Sequence, residues 1–516
     1  MRKGTVYIIG AGPGDPELIT TKGVRCLGKA DVVIYDYLVH PDILRHANSE
    51  ARLVYAGKQG GEHTLTQEKI NRMLVEEANQ GRNVARLKGG DPFIFGRGGE
   101  EANILASEGI PFEIIPGVTS AIAVPAYAGI PLTHRGYTST LAFVTGHENP
   151  AKEQSDIDWK SLAGMGTLVF LMGVKNLPKI AEGLISSGKD KSTPTALIRW
   201  GTTPDQETLT GKLADIADKA KKARFKPPAI LVVGDVVRLR EALNWFETKP
   251  LFGRGVVITR PEAQAESFAA LLQEQGARVI HFPLIRIEPP ETWKEVDQAI
   301  GRLDIYRWII FTSANGVRFF MQRLRELERD IRELKGIRIC TIGPATADVL
   351  RNHGLKVDLV PDSFISEGIV EALSKHDIRG KKILLPRAEE ARDIIPEGLA
   401  KQGAEADVVT VYRTVASGIK PEKLYPFIEE NLVDVVTFTS PSTVYRFLEI
   451  MGREACDDLF RKRGIRIAAI GPVTTEAVKK AGFSVNIFQE TYTIPGMVEA
   501  LKVYYSNSPM VGGIER

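Results

Sequence analysis

The sequence predicts an α/β protein of several domains, with parallel sheets flanked by helices. Short β-rich runs bounded by glycine or proline alternate with segments of helical period along the chain, the pattern of strand–helix–strand units. A length of 516 residues exceeds what one hydrophobic core supports, since a domain takes about 150 residues. The second half also repeats itself, which implies two similar α/β units.

The first element is the strand that opens "VYIIGAGPGDPELIT" (5–19), ended by a turn carrying Gly10, Gly12 and Gly14. "ADVVIYD" (30–36), "GTLVFLMG" (166–173) and "PAILVVGDVV" (228–237) are short apolar runs rich in β-branched residues and read as buried strands. From 244 to 255 "NWFETKPLFGRG" interrupts the alternation, so the main boundary falls there, with 247–254 as a linker. A fresh strand, "VVITRP", follows it, and "KILLPR" (382–387) is another. Within this second half "WIIFTSANGVRFF" (308–320) recurs as "VVTFTSPSTVYRF" (435–447), and "IRICTIGPATADVLRNHGLKV" (337–357) as "IRIAAIGPVTTEAVKKAGFSV" (465–485). The offset is 127 from Thr312 to Thr439 and 128 from Gly343 to Gly471; Arg260 and Arg387 are again 127 apart. The last residues, 509–516, read as a flexible tail.

Composition excludes several classes. A formal net charge of +3 with 25% charged residues gives no general polyanion-binding surface, so no nucleic-acid partner is expected. The three cysteines, Cys26, Cys340 and Cys456, are far apart, with no CxxC pair and no histidines at zinc spacing; structural thiols in a reducing compartment and no metal are expected. No apolar run approaches the roughly 18 residues that cross a bilayer, and glycines end the N-terminal apolar run too early for an export signal, so a cytoplasmic, membrane-free protein is expected.

The opening turn admits two readings. A dinucleotide fingerprint GxGxxG counted from Gly10 needs glycine at position 15, where the chain has Asp15; an acid there repels pyrophosphate at the helix start. Asp31 or Asp36 stands where a ribose-binding acid belongs, so a nicotinamide oxidoreductase stays open as the alternative, with the repeated half as a ligand-sensing regulatory module. The other motifs decide between them. With "VVIYDYLVHPDIL" (32–44), "AGKQGGEHTLTQEKIN" (56–71), "VARLKGGDPFIFGRGGEE" (84–101), "IPGVTSAIAVPAYAGIPLTHR" (115–135) and "TALIRWGTTPDQ" (195–206), the stretch from about 3 to 246 closely resembles uroporphyrinogen-III C-methyltransferase. The region from 255 to 505 is similar to uroporphyrinogen-III synthase through "VVITRP", "IIFTSANGV", "TIGPATA", "VVTVYRT", "TFTSPS" and "AAIGPVTTEAV".

The resemblance implies a two-domain tetrapyrrole methylase fold (about 1–135 and 136–246) followed by a duplicated flavodoxin-like two-domain synthase fold. One synthase domain is expected from 255–288 plus 415–508 and the other from 290–412. It implies S-adenosyl-L-methionine as methyl donor, with no NAD, contacted at Pro13, Gly89, Gly90, Asp91, Ile94, Thr119, Ser120, Met172, Gly201 and Ala229. Asp36 matches the family's proton acceptor and Lys58 its proton donor. Read alone, Asp91 is a turn cap, Asp36 a helix cap and Lys58 a solvated charge.

The methyl acceptor implied is uroporphyrinogen III, whose eight carboxylates call for cations. Arg86, Lys88, Arg97, His134 and Arg135 lie in or beside the motifs, with Arg97 and Arg135 taken as substrate contacts. In the second half the implied substrate is hydroxymethylbilane. Tyr412 in "TVYRT" matches the family's catalytic candidate, and Thr312, Ser313, Thr439, Ser440 and Thr474 are candidate substrate contacts. Thr346 and Thr474 read as helix caps or as carboxylate donors. The family further implies a homodimer through the methyltransferase half, and products en route to sirohaem or cobalamin.

Overall fold

The computed structural model describes residues 2–57, 65–146, 156–391 and 393–507. By its internal contacts the chain divides into two compact units: residues up to Val256 with 270–279 and the chain from Val498, and residues 257–269 with 280–497.

The first unit holds two five-stranded sheets. Strands β1 (Val6–Gly10), β2 (Val32–Tyr35), β3 (Arg52–Tyr55), β4 (Val84–Lys88) and β5 (Phe112–Ile115) are ordered β3-β2-β4-β1-β5, all pairs parallel. Continuous apolar runs such as Val32 to Ile34 suit a sheet covered on both faces, and they are fully buried here. The second sheet comprises β6 (Leu141–Thr145), β7 (Thr167–Leu171), β8 (Pro194–Arg199), β9 (Glu207–Lys212) and β10 (Ala229–Val233), in the order β6-β7-β10-β8-β9. Here the expectation of parallel sheets fails, because β10 runs antiparallel to β7 and β8, and β8 antiparallel to β9. The reason lies in the connection: the segment from Trp200 to Gln206 is too short for the dozen or so residues of a parallel crossover.

The remaining strands form two more sheets. β11 (Gly255–Ile258), β12 (Arg278–His281), β18 (Val435–Phe438) and β19 (Arg466–Ala469) are ordered β12-β11-β18-β19. β13 (Ile285–Glu288), β14 (Tyr306–Phe311), β15 (Arg338–Thr341), β16 (Lys382–Ala388) and β17 (Glu405–Ala416) are ordered β13-β17-β16-β14-β15. The internal repeat is visible as structure. β14 and β18 each run into a helix (Ala314–Glu326 and Pro441–Met451), and each pairs in parallel with a strand (β15, β19) that runs into another (Pro344–Asn352 and Pro472–Lys480). Even the outer contacts repeat, since the ring of Phe364 lies against Gly343 and that of Tyr492 against Gly471. The strand "FPLIRIE" supplies β13, which pairs antiparallel with β17 and so belongs to the sheet of the 290–412 segment.

The three cysteines are free and buried, and burial pushes the Cys340 and Cys456 thiols up to about 12. No helix among the described residues is long and apolar enough to cross a membrane, and no metal-binding cluster of His, Cys, Asp or Glu occurs among them.

Candidate functional site

In the first sheet β1 lies between β4 and β5, and the loops after these three strands converge at their carboxyl ends, where an open parallel sheet forms its crevice. Glycine makes the convergence possible. Gly12 and Gly90 exchange backbone hydrogen bonds (3.2 and 2.6 Å), and a Cβ on Gly117 would stand 2.3 Å from the Gly90 carbonyl oxygen and 2.7 Å from the Gly10 Cα. Three backbones therefore touch where side chains would keep them apart.

Below these loops opens a cleft of about 630 Å³, within the range of small-molecule sites. Pro13 reaches it from the first loop, Gly89, Gly90, Asp91 and Ile94 from the second, and Thr119 and Ser120 from the third. Met172, Gly201 and Ala229 close it from the second sheet, so all ten positions expected to contact a methyl donor line one cavity. Its walls are strained: Phe95, Met172 and Trp200 line it with φ of 53°, 58° and 46°, a left-handed conformation that non-glycine residues adopt mainly where a site needs it. Tyr37, His40, Lys175 and Trp200 also line the cleft, and sequence reasoning missed them. Burial lowers the His40 pKa below its ordinary value. Trp200 directly precedes Gly201 and meets Tyr37 edge-on at 6.1 Å; this adjacency to a site glycine was the available signal.

Two acids in these loops serve the backbone. Asp91 accepts from the N–H groups of Phe93 (2.8 Å), Ile94 (3.1 Å) and Gly117 (3.0 Å), capping its own turn and tying the second loop to the third. Asp15 accepts from Glu17 N–H (2.9 Å) and from the Tyr127 hydroxyl (2.7 Å) and does not line the cleft. The position that argued against pyrophosphate is thus a structural cap.

Asp36 follows β2, immediately before the cleft-lining residues Tyr37 to Pro41, without lining the cleft itself. It is not a helix cap; its carboxylate accepts from the Arg86 guanidinium at 2.7 Å. Arg86 in turn meets Glu101 (3.0 Å), which also holds Lys88 (2.9 Å). Arg86 is 2% exposed, Lys88 3% and Glu101 0%, so neither cation is available to substrate carboxylates, a correction to their standing as candidates. Burial pushes the Glu101 carboxyl up, but Arg86 and Lys88 outweigh it and hold it below the ordinary carboxylate range. Burial and Arg86 pull the Lys88 ammonium down. Among the remaining cations, Arg97 is exposed and doubly hydrogen-bonded to Glu100 (2.9 and 2.7 Å), and His134 and Arg135 are exposed. Lys58 lies outside the described residues.

In the second unit Ser313 caps the helix Ala314–Glu326 through Gly316 N–H (3.0 Å) and shares a 3.0 Å hydrogen bond with the Tyr412 hydroxyl. Tyr412 is buried against Phe319, their rings stacked at 5.9 Å. Burial raises its pKa and the Ser313 contact opposes that, leaving a phenol that keeps its proton. Thr312 and Thr439 end their strands half-buried, and Ser440 caps its helix as Ser313 does, accepting from Thr443 N–H. Thr346 and Thr474 are not the helix caps. The caps are Gly343 and Gly471, and the threonines, 4% and 3% exposed, sit inside the first turn.

The glycine contact carries a prediction. Gly117→Ala forces its methyl against the backbones of Gly10 and Gly90 beside the cleft, and is expected to weaken S-adenosylmethionine binding about a hundredfold by calorimetry, the scale of a 1 Å displacement in a site.

The profile of the family described as "Tetrapyrrole (Corrin/Porphyrin) Methylases" matches residues 5–217, and that of "Uroporphyrinogen-III synthase HemD" residues 266–499. "Porphyrin biosynthesis protein HemD" of Ruminiclostridium josui is 36% identical over 502 residues, covering 97% of this chain and 98% of that one. The "S-adenosyl-L-methionine-dependent uroporphyrinogen III methyltransferase" of Methanosarcina barkeri is 54% identical over 242 residues, 47% of this chain and 95% of that one. A solved structure of uroporphyrin-III C-methyl transferase from Thermus thermophilus, complexed with S-adenyl homocysteine, is 41% identical, covers 46% of this chain and 100% of that one, and has a TM-score of 0.40. These matches give the nicotinamide oxidoreductase alternative no support.

Proposed function

Because this chain belongs to the tetrapyrrole methylase family in its first half and to the uroporphyrinogen-III synthase family in its second, we propose that it carries out two successive steps of tetrapyrrole synthesis. It closes hydroxymethylbilane to uroporphyrinogen III with inversion of ring D, and methylates that product at carbons 2 and 7 to precorrin-2. The observation that carries the methylation is the single cleft lined by all ten expected contacts.

The cleft fits S-adenosylmethionine in volume, in its close glycine backbone and in its mixture of apolar wall with Thr119 and Ser120 hydroxyls. When bound there, that group supplies an electrophilic methyl. The backbone of Pro13, Gly89 and Gly90 and the walls at Ile94, Met172, Gly201 and Ala229 hold it and exclude water. A pyrrole carbon that gains a methyl leaves its ring cationic, and Asp36, oriented by Arg86, takes up the proton the ring then loses. Lys58 is assigned as proton donor, and Arg97 and Arg135 as substrate contacts. The reading includes a cytoplasmic location and a homodimer formed through the methyltransferase half.

In the second unit the substrate reacts unaided, so the protein's task is to impose one conformation. Tyr412 donates to the departing hydroxyl while Ser313 fixes the phenol. Thr312, Thr439 and Ser440 contribute hydroxyls at strand ends. Thr474, in the first turn of the helix Pro472–Lys480, is assigned as a further substrate contact.

The test is to supply hydroxymethylbilane with and without S-adenosylmethionine and to identify products by mass and isomer. The type III macrocycle is expected without the methyl donor and its dimethylated derivative with it; only the type I isomer would refute the synthase. In the same assay Tyr412→Phe is expected to lower type III formation about tenfold, less than a full general-acid effect because the substrate is already reactive.

A further inference from the structure

The helix Glu262–Glu274 begins just beyond the carboxyl end of β11, and the helix Ala314–Glu326 just beyond that of β14. Gln264 in the first turn of one donates from Nε2 to Oδ1 of Asn315 in the first turn of the other, at 3.0 Å. The carboxyl edges of two different sheets therefore meet at this point, beside Ser313 and Tyr412.

Two arginines flank the contact. Arg260, partly buried two residues after β11, donates from Nη2 to Oε1 of Gln264 at 3.0 Å. Arg318 is exposed on the helix face of Asn315, one turn further on, and is followed in the chain by Phe319, whose ring stacks on Tyr412. Among the described residues neither has an acidic partner, and burial together with the nearby Arg318 charge pulls the Arg260 pKa below its ordinary value. The internal repeat supplies the contrast, because Arg387 occupies the position equivalent to Arg260 and is neutralised by Asp393 at 2.7 Å. One copy has an internal counter-ion; the other holds two like charges together without one. Such an arrangement is unfavourable until an anion bridges it, and a guanidinium pair is suited to a carboxylate.

We propose that Arg260 and Arg318 form a carboxylate clamp for one acidic arm of the linear tetrapyrrole, seating it next to Tyr412. The proposal rests on the synthase reading above. Gln264 and Asn315 set the spacing of the clamp.

The experiment uses the full chain, with hydroxymethylbilane as substrate and methylation of separately supplied uroporphyrinogen III as an internal control. Arg260→Gln and Arg318→Gln are each expected to raise KM for hydroxymethylbilane about tenfold and to increase the share of type I product, with methylation unchanged. Arg260→Lys should recover part of the loss. Arg318 is exposed, so its variant carries the test even where Arg260→Gln folds poorly. If the wild-type chain forms type III and both Gln variants keep KM within about twofold, or lose only kcat, the clamp is wrong and the synthase reading stands. If the wild-type chain leaves hydroxymethylbilane to close on its own, both fall.

Discussion

Glu101→Gln is expected to destabilise the first unit by about 3–5 kcal/mol, read as a fall in its denaturation midpoint. The side chain keeps its shape and loses its charge, so Arg86 and Lys88 are left in the interior with only Asp36 at the edge of the cluster. Breaking a buried ion pair from one side is costly because the remaining charge has no water to turn to. Lys88 offers partial relief by releasing its proton. Its folded pKa is already below the unfolded value, so the unfolded state binds more protons in between, and the variant should gain stability as the pH rises through that interval. The wild type shows the acid counterpart. Glu101 has a depressed folded pKa, so its contribution is complete above the ordinary carboxylate range and is lost as the pH falls through the depressed value. A denaturation series over pH that showed no difference between the two proteins would contradict this account.

Asp36→Asn is expected to slow methylation about 10²- to 10⁴-fold with S-adenosylmethionine affinity nearly unchanged. The amide keeps a hydrogen-bond acceptor toward Arg86 but cannot take a proton, and the position does not line the cleft proposed for the methyl donor. Single-turnover rates set against calorimetric binding separate the two effects. Equal turnover would remove Asp36 from the chemistry; a parallel loss of binding would make it a structural residue.

Much of this molecule was legible in the sequence, for identifiable reasons. Runs such as "ADVVIYD" and "KILLPR" became buried strands because a strand covered on both faces has no polar side to hide. The cleft was legible because its walls are loops in which glycine is sterically required, and such loops leave a dense local signature. What escaped were pairings across distance. Nothing in "RLKGGDP" says that its arginine and lysine point inward onto an acid 15 and 13 residues further on, and as isolated letters they look like surface cations. The mixed second sheet was missed because alternation of strand and helix signals does not encode strand direction. The threonines after Gly343 and Gly471 were given the role of caps, whereas the glycine backbone begins the helix and the hydroxyl is carried into the interior.

Ser313 and Ser440 stand at equivalent places in the repeat and do the same backbone work, but only Ser313 touches a phenol; Ser440 instead meets the hydroxyl of Ser442. On the synthase reading this difference matters to a substrate made of four nearly identical rings. Two walls alike in both shape and reactivity would accept such a molecule head-first or tail-first with equal ease. With Tyr412 in its proposed role, one repeat would carry the proton source and the other only its framework, so that a pseudo-symmetric scaffold would acquire polarity and decide which end of the substrate reacts before any bond is broken.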